Sequence, residues 1–137
     1  MATTVLSGTS GALYYKPAGT TGSFGESNVN TGTDEITVAP YLNFKVGDPV
    51  KFSVINSQTG GSGTGTLPAG ISAGTTYYVI AYAPATGVLQ VSASAGGSTI
   101  TITDDGTAAA PNEFQVAYAY FAVVGKVSDW SFEISRA

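Results

Sequence analysis

The side chains of this chain that could do chemistry are few and poorly spaced for it. Asp104-Asp105-Gly106 sets two carboxylates beside a glycine, which are the materials of a Ca²⁺ loop. An EF-hand loop also needs oxygen ligands at alternating positions and a bidentate Glu further on. Neither follows here, so the tripeptide reads as a turn. Gly60-Gly61-Ser62-Gly63-Thr64-Gly65-Thr66 has the glycines of a phosphate cradle. No Lys and no helix pattern come after it, and it reads as a loop. Asp34-Glu35 and Glu133 are the residue types that work as a carboxylate pair on glycosidic bonds, but nothing in the sequence sets their separation. Tyr77, Tyr78 and Tyr82 offer aromatic faces that could stack on sugars. Strict alternation puts Tyr78 and Tyr82 on one face of a strand and Tyr77 on the other, which favours packing over a shared platform.

The chain has no cysteine and no histidine. Thiolate nucleophiles, disulfides, Cys/His zinc sites and imidazole bases drop out together. We therefore expect no enzyme, no cofactor and no metal. Lys16, Lys45, Lys51, Lys126 and Arg136 are scattered singly against nine acidic residues, for a net charge of −4. That is not the footprint of a sequence-specific nucleic-acid binder. The opening Met1-Ala2-Thr3-Thr4-Val5-Leu6 lacks the basic region and apolar run of a signal peptide. No apolar run approaches the roughly 18 residues of a spanning helix, so no membrane partner is expected.

Charged residues make up 10% of the 137, against about 25% in ordinary soluble domains. Gly, Ser and Thr fill the space, a composition common in extracellular β-proteins and virion parts. So little charge leaves little repulsion between copies and suits a protein that assembles.

The elements that position these residues read as strands, with no helical period anywhere. Ala12 to Lys16 is a short strand closed by Pro17-Ala18-Gly19, and residues 18–34 read as an extended arm or loop of low order. Glu35 to Val38 is a strand stopped by Pro40. Val50 to Val54 alternates cleanly, Thr75 to Tyr82 is the strongest strand pattern, and Val88 to Ala93 follows a turn at Pro84–Gly87. Gly96-Gly97 signals a hairpin into Thr99–Thr103, with Ile100 and Ile102 facing inward. Phe114 to Val124 reads as one long strand in which Val116, Tyr118 and Tyr120 share a face. Gly125-Lys126 reads as a tight connection into Asp129–Ser135, where Trp130, Phe132 and Ile134 alternate with polar residues. That period of two marks a half-buried strand. Trp130, Phe132, Ile134, Tyr118 and Tyr120 are thus the candidate packing or assembly residues, Trp130 serving either as core or as an interface anchor.

The ends of the chain carry a resemblance. Val5-Leu6-Ser7-Gly8 with Gly11-Ala12-Leu13-Tyr14-Tyr15 resembles the opening of the tail tube proteins of long-tailed bacteriophages. Val124-Gly125-Lys126-Val127-Ser128-Asp129-Trp130-Ser131-Phe132-Glu133-Ile134-Ser135-Arg136 resembles a strand of the same family, with its central Trp-Ser pair. Leu67 to Ile80 looks like a small β-module inserted in phage tail and fibre proteins. In the tube family the Trp strand is followed by about another half of a β-sandwich and a flanking helix. The 137 residues hold neither, so the sequence is a reduced version, a fragment, or a scaffold in another virion role.

The resemblance implies an all-β fold, a β-sandwich or barrel-like domain. It divides into a scaffold of residues 1–40 and 112–137, a small inserted β-domain of residues 41–111, and an extended N-terminal arm. It implies a virion structural protein assembled in the host cytoplasm, whose partners are itself and other virion proteins. The leading expectation is a tail tube subunit stacking through strand edges. The alternative is a capsid decoration or cement protein that trimerises on the shell and staples capsomers with its arm. A third reading, from a different class, is a glycan-binding module using Tyr77, Tyr78 or Tyr82.

Overall fold

The computed structural model describes residues 2–8, 11–15, 20–56, 61, 63–108, 110–119, 122–127 and 130–136. The fold is all-β, and among the described residues the helical content is a single 3₁₀ turn, Glu26–Asn28. The chain divides into two compact units, residues 1–16 with 121–137, and residues 17–120.

The first unit pairs the two ends of the sequence. Strand β1 (Ala2–Gly8) runs antiparallel to β11 (Trp130–Arg136) in unbroken register from Ala2↔Arg136 to Gly8↔Trp130. Strand β2 (Gly11–Tyr15) runs antiparallel to β10 (Ala122–Val127), from Gly11↔Val127 to Tyr15↔Ala122, with a bulge between Val123 and Gly125. Gly125 and Lys126 therefore lie inside a strand and do not form the expected connection. The extra residue of the bulge is Val124, and Gly125 beside it pairs with Leu13; a glycine within a strand often marks such a site.

The second unit is one seven-stranded antiparallel sheet. Its strands are β3 (Thr21–Phe24), β4 (Val29–Asn30), β5 (Glu35–Thr37), β6 (Pro49–Val54), β7 (Tyr77–Ala83), β8 (Val88–Ser92) and β9 (Phe114–Tyr118). They lie in the order β3-β9-β6-β7-β8-β5-β4. Alternation sends one residue in two to a common core: Phe24, Ile36, Val50, Phe52, Tyr77, Val79, Leu89, Val91, Phe114 and Val116 are all buried. Phe24 lies 5.4 Å from Phe114 and 6.1 Å from Phe52, and Phe52 lies 5.7 Å from Tyr77, between ring centroids. Each such side chain contributes about 1.5–3 kcal/mol by burial.

Phe24 also explains why residues 20–34 are not a loose arm. Set in a stretch of small polar residues, it is fully buried and seats β3 beside β9, with Thr21↔Ala117 and Phe24↔Phe114 in register. Strand β5 likewise pairs with β8 through Ile36↔Leu89. The boundaries expected at 40/41 and 111/112 thus fall inside a single sheet, and the compact units meet the chain at 16/17 and 120/121 instead.

Connecting segments complete the core, with Val38 and Phe44 coming from the stretch between β5 and β6. Residues 63–76 and 99–108 supply Leu67, Ile71 and Ile102, and the segments are tied by the Thr66↔Thr107 bridge and the Ala69 N–H to Asp104 C=O bond. Thr99–Thr103 is not a ladder strand. Thr99 bridges Ser92 and Ile100 N–H reaches Val91 C=O, but Thr103 N–H turns to Ala69 C=O. The segment shares its hydrogen bonds between two neighbours. Ile102 faces inward as expected, 1% exposed, and Ile100 packs partly buried against the core.

Candidate functional site

Strand β7 does not present its three tyrosines as a platform. Its register against β8 passes from Val79↔Val91 to Ala81↔Gln90, so Ile80 is an extra residue. A bulge of this kind reverses the alternation beyond it. Tyr82 is brought opposite the buried Leu89, onto the face that holds Tyr77. The expectation that Tyr78 and Tyr82 share a face fails for that reason. Tyr77 is buried, and its hydroxyl accepts the Ser72 N–H at 2.8 Å. Tyr78 is half-buried, opposite Pro49 on one side and Ser92 on the other. Tyr82 packs edge-on against Phe44, with centroids 5.7 Å apart.

Two of the carboxylates singled out from the sequence, Asp104 and Asp34, hold backbone in place. Asp104 Oδ1 accepts the Gly106 N–H at 2.7 Å and fixes a turn in which Gly106 has φ +84°. Asp34 Oδ1 accepts the Ile102 N–H at 2.8 Å, and the Thr33 hydroxyl donates to Glu35 at 2.7 Å. Glu133 lies in β11 opposite Val5, in the other unit. Among the described residues no three His, Cys, Asp or Glu side chains gather where a metal ion would need them.

Part of the glycine run, residues 60 and 62, lies outside the described residues. Gly63 N–H donates to Val54 C=O, and a Cβ on Gly65 would come within 2.2 Å of the Thr107 carbonyl oxygen. This end of the run is packed backbone, not a cradle. Trp130, Phe132 and Ile134 occupy β11 opposite Gly8, Leu6 and Thr4. Tyr118 ends β9 half-buried, opposite Val50, and Tyr120 lies outside the described residues.

Two surface features escaped the sequence reading. The first is the corner Ala39-Pro40-Tyr41-Leu42. Tyr41 has φ +60° and is 79% exposed. A left-handed third residue is ordinarily Gly or Asn in such a turn, and a bulky side chain there is an outlier. The backbone is held from outside: Tyr41 N–H donates to Pro84 C=O at 2.7 Å, Leu42 N–H donates to the Tyr82 hydroxyl at 3.0 Å, and that hydroxyl donates to Ala39 C=O at 3.1 Å. The available signal was Pro40, a favoured second residue of turns.

The second feature is a surface cleft of about 340 Å³ between the 3₁₀ turn and Ala108, Ala110, Pro111 and Asn112. Glu26 accepts the Ala108 N–H through Oε1, and Asn28 Oδ1 accepts the Gly25 N–H at 2.9 Å. Each side chain is fixed through one oxygen and keeps other polar atoms at the cleft wall. Ala108, Ala110 and Pro111 form the apolar side, and Asn112, with φ +62°, completes it. These features are suited to binding and docking and offer no nucleophile–base pair. No family model, curated protein or solved structure matches the chain.

Proposed function

We propose that the chain is a structural subunit of a tailed-phage virion, of the tail tube type, which assembles through strand edges. The observation that carries this reading is a pairing. The two stretches that resemble the tube family, residues 5–15 and 124–136, lie far apart in sequence yet form the β1–β11 and β2–β10 ladders. Among the described residues each of these four strands has a single ladder partner. The other edge of each is a template for a neighbouring subunit.

The placement of the second unit supports the same reading. Tyr15 pairs with Ala122 at the end of the β2–β10 ladder, and residues 17–120 stand in the chain where the turn of a hairpin would be. At the other end of that insertion Tyr118 N–H donates to Thr20 C=O at 2.9 Å. A scaffold hairpin can carry a complete domain in this way without disturbing its own register. The acidic balance suits a conduit that DNA slides through without sticking.

The test is negative-stain electron microscopy of the purified full chain, with light-scattering mass on the same sample. Rings or stacked tubes are expected. Discrete trimers that never stack would replace the tube reading with a capsid decoration protein, to be checked on empty shells. Within residues 17–34, the arm that would serve a decoration protein as its staple, Thr21–Phe24 and Val29–Asn30 are strands of the sheet.

A further inference from the structure

Tyr41 is held out from the fold in a conformation that a glycine would occupy at lower cost. Pro40, the Pro84 carbonyl and the Tyr82 hydroxyl all fix the corner, so the side chain is presented by a rigid base. At 79% exposure it makes little use of its own domain. Backbone held in a sparsely populated region by surrounding contacts points to a task at that position.

The cleft beside Glu26 has the chemistry of a tyrosine seat. Ala108, Ala110 and Pro111 give the ring an apolar wall of small side chains. The oxygen of Glu26 not engaged by Ala108 N–H, together with the Asn28 and Asn112 amides, gives the hydroxyl partners at the polar end. No lysine or arginine lines the cleft, which suits a neutral donor and disfavours an anion. A volume of about 340 Å³ accommodates a phenol ring.

We infer that Tyr41 of one copy seats in the Glu26–Asn112 cleft of a second copy, a head-to-tail contact between inserted domains. Repeated in one direction, as a stacking subunit requires, the contact is heterologous and propagates into a ring or filament, whereas a reciprocal exchange would close a two-fold dimer. This inference rests on the self-assembly reading and names a contact within it. One tyrosine buries on the order of 150–250 Å², well short of the roughly 1,200 Å² of a stable interface. The contact therefore acts on subunits already gathered by strand edges, where local concentration is high.

The test uses assembled full-length protein carrying a benzophenone amino acid at position 41, with equal parts ¹⁴N- and ¹⁵N-labelled chains. Irradiation is expected to give mixed-isotope adducts between position 41 and peptides containing residues 25–28 or 108–112. Adducts elsewhere, or only within one copy, overturn the contact. In parallel, Tyr41→Gly is expected to keep or raise the melting temperature and to raise the concentration for half-assembly at least ten-fold. Ala110→Trp, which fills the seat, is expected to do the same to assembly. If both variants assemble like the wild type, this contact is wrong while self-assembly stands. If the wild type itself never assembles, the contact and the reading beneath it both fall.

Discussion

Tyr82 and Leu42, forty positions apart, are joined by a hydrogen bond from the Leu42 N–H to the Tyr82 hydroxyl at 3.0 Å. The same hydroxyl donates to Ala39 C=O at 3.1 Å. Ala39 and Leu42 are the first and fourth residues of the corner, whose groups would ordinarily bond to each other. A hydroxyl serves as donor and acceptor at once, so Tyr82 bridges the turn from within.

Tyr82→Phe keeps the ring against Phe44 and removes the bridge. The expected cost is about 1 kcal/mol, read as a lower denaturant midpoint with unchanged slope. The Leu42 amide should exchange much faster, while amides of β6 and β9, which open only with the whole domain, should speed by no more than the roughly five-fold that 1 kcal/mol represents.

Gly87 closes the β7–β8 hairpin at φ +79°, and a Cβ there would lie 1.9 Å from the Val38 carbonyl oxygen. Both the left-handed backbone and the clash fall on backbone atoms that cannot swing aside. Gly87→Ala should destabilise the inserted domain by about 2–4 kcal/mol. Gly74→Ala, at φ +75° with nothing within 4 Å, should cost only the backbone term, about 1 kcal/mol. Paired thermal melts separate the two.

Asp34 combines φ +56° with an Oδ1 bond from the Ile102 N–H. Asn tolerates the same backbone and offers the same acceptor. Asp34→Asn should therefore shift stability by less than about 0.5 kcal/mol. Asp34→Ala, which strands a part-buried N–H and keeps the strained backbone, should cost about 2–3 kcal/mol by chemical denaturation.

The two units should also be separable in stability. Glu133→Pro removes a donor and restricts the backbone within β11. It is expected to abolish assembly and melt the β1–β11 ladder, while the cooperative transition of residues 17–120 keeps its midpoint. Residues 17–120 expressed alone should unfold at that same midpoint. A fragment that is unfolded in isolation would show that the units depend on each other.

Much of the inserted sheet was legible because alternation is a local signal. Val50 and Phe52 point inward as their spacing says, and so do Leu89 and Val91. Tyr82 was misread because a bulge at Ile80 depends on how β8 registers against β7, and nothing in residues 75–82 encodes that partner. Residues 18–34 read as loose because Gly, Thr, Ser and Asn dominate them. One buried phenylalanine, Phe24, outweighs that composition once Phe52 and Phe114 lie within reach. The exposed corner at Tyr41 was illegible for a similar reason. Pro40 signals a turn, but the bonds that hold Tyr41 in its left-handed backbone come from Tyr82 and Pro84 of another hairpin.

The Tyr15↔Ala122 pairing has a mechanical consequence. Covalently, any pull from β2 to β10 must pass through residues 17–120. Physically, the ladder between those strands lies across the same two points and shunts the tension before it reaches the insertion. Because Gly11 and Val127 are paired at the far end of the antiparallel ladder, the pull opens it from that end toward Tyr15 and Ala122. Residues 17–120 therefore feel that tension only after the last pair, Tyr15↔Ala122, has opened.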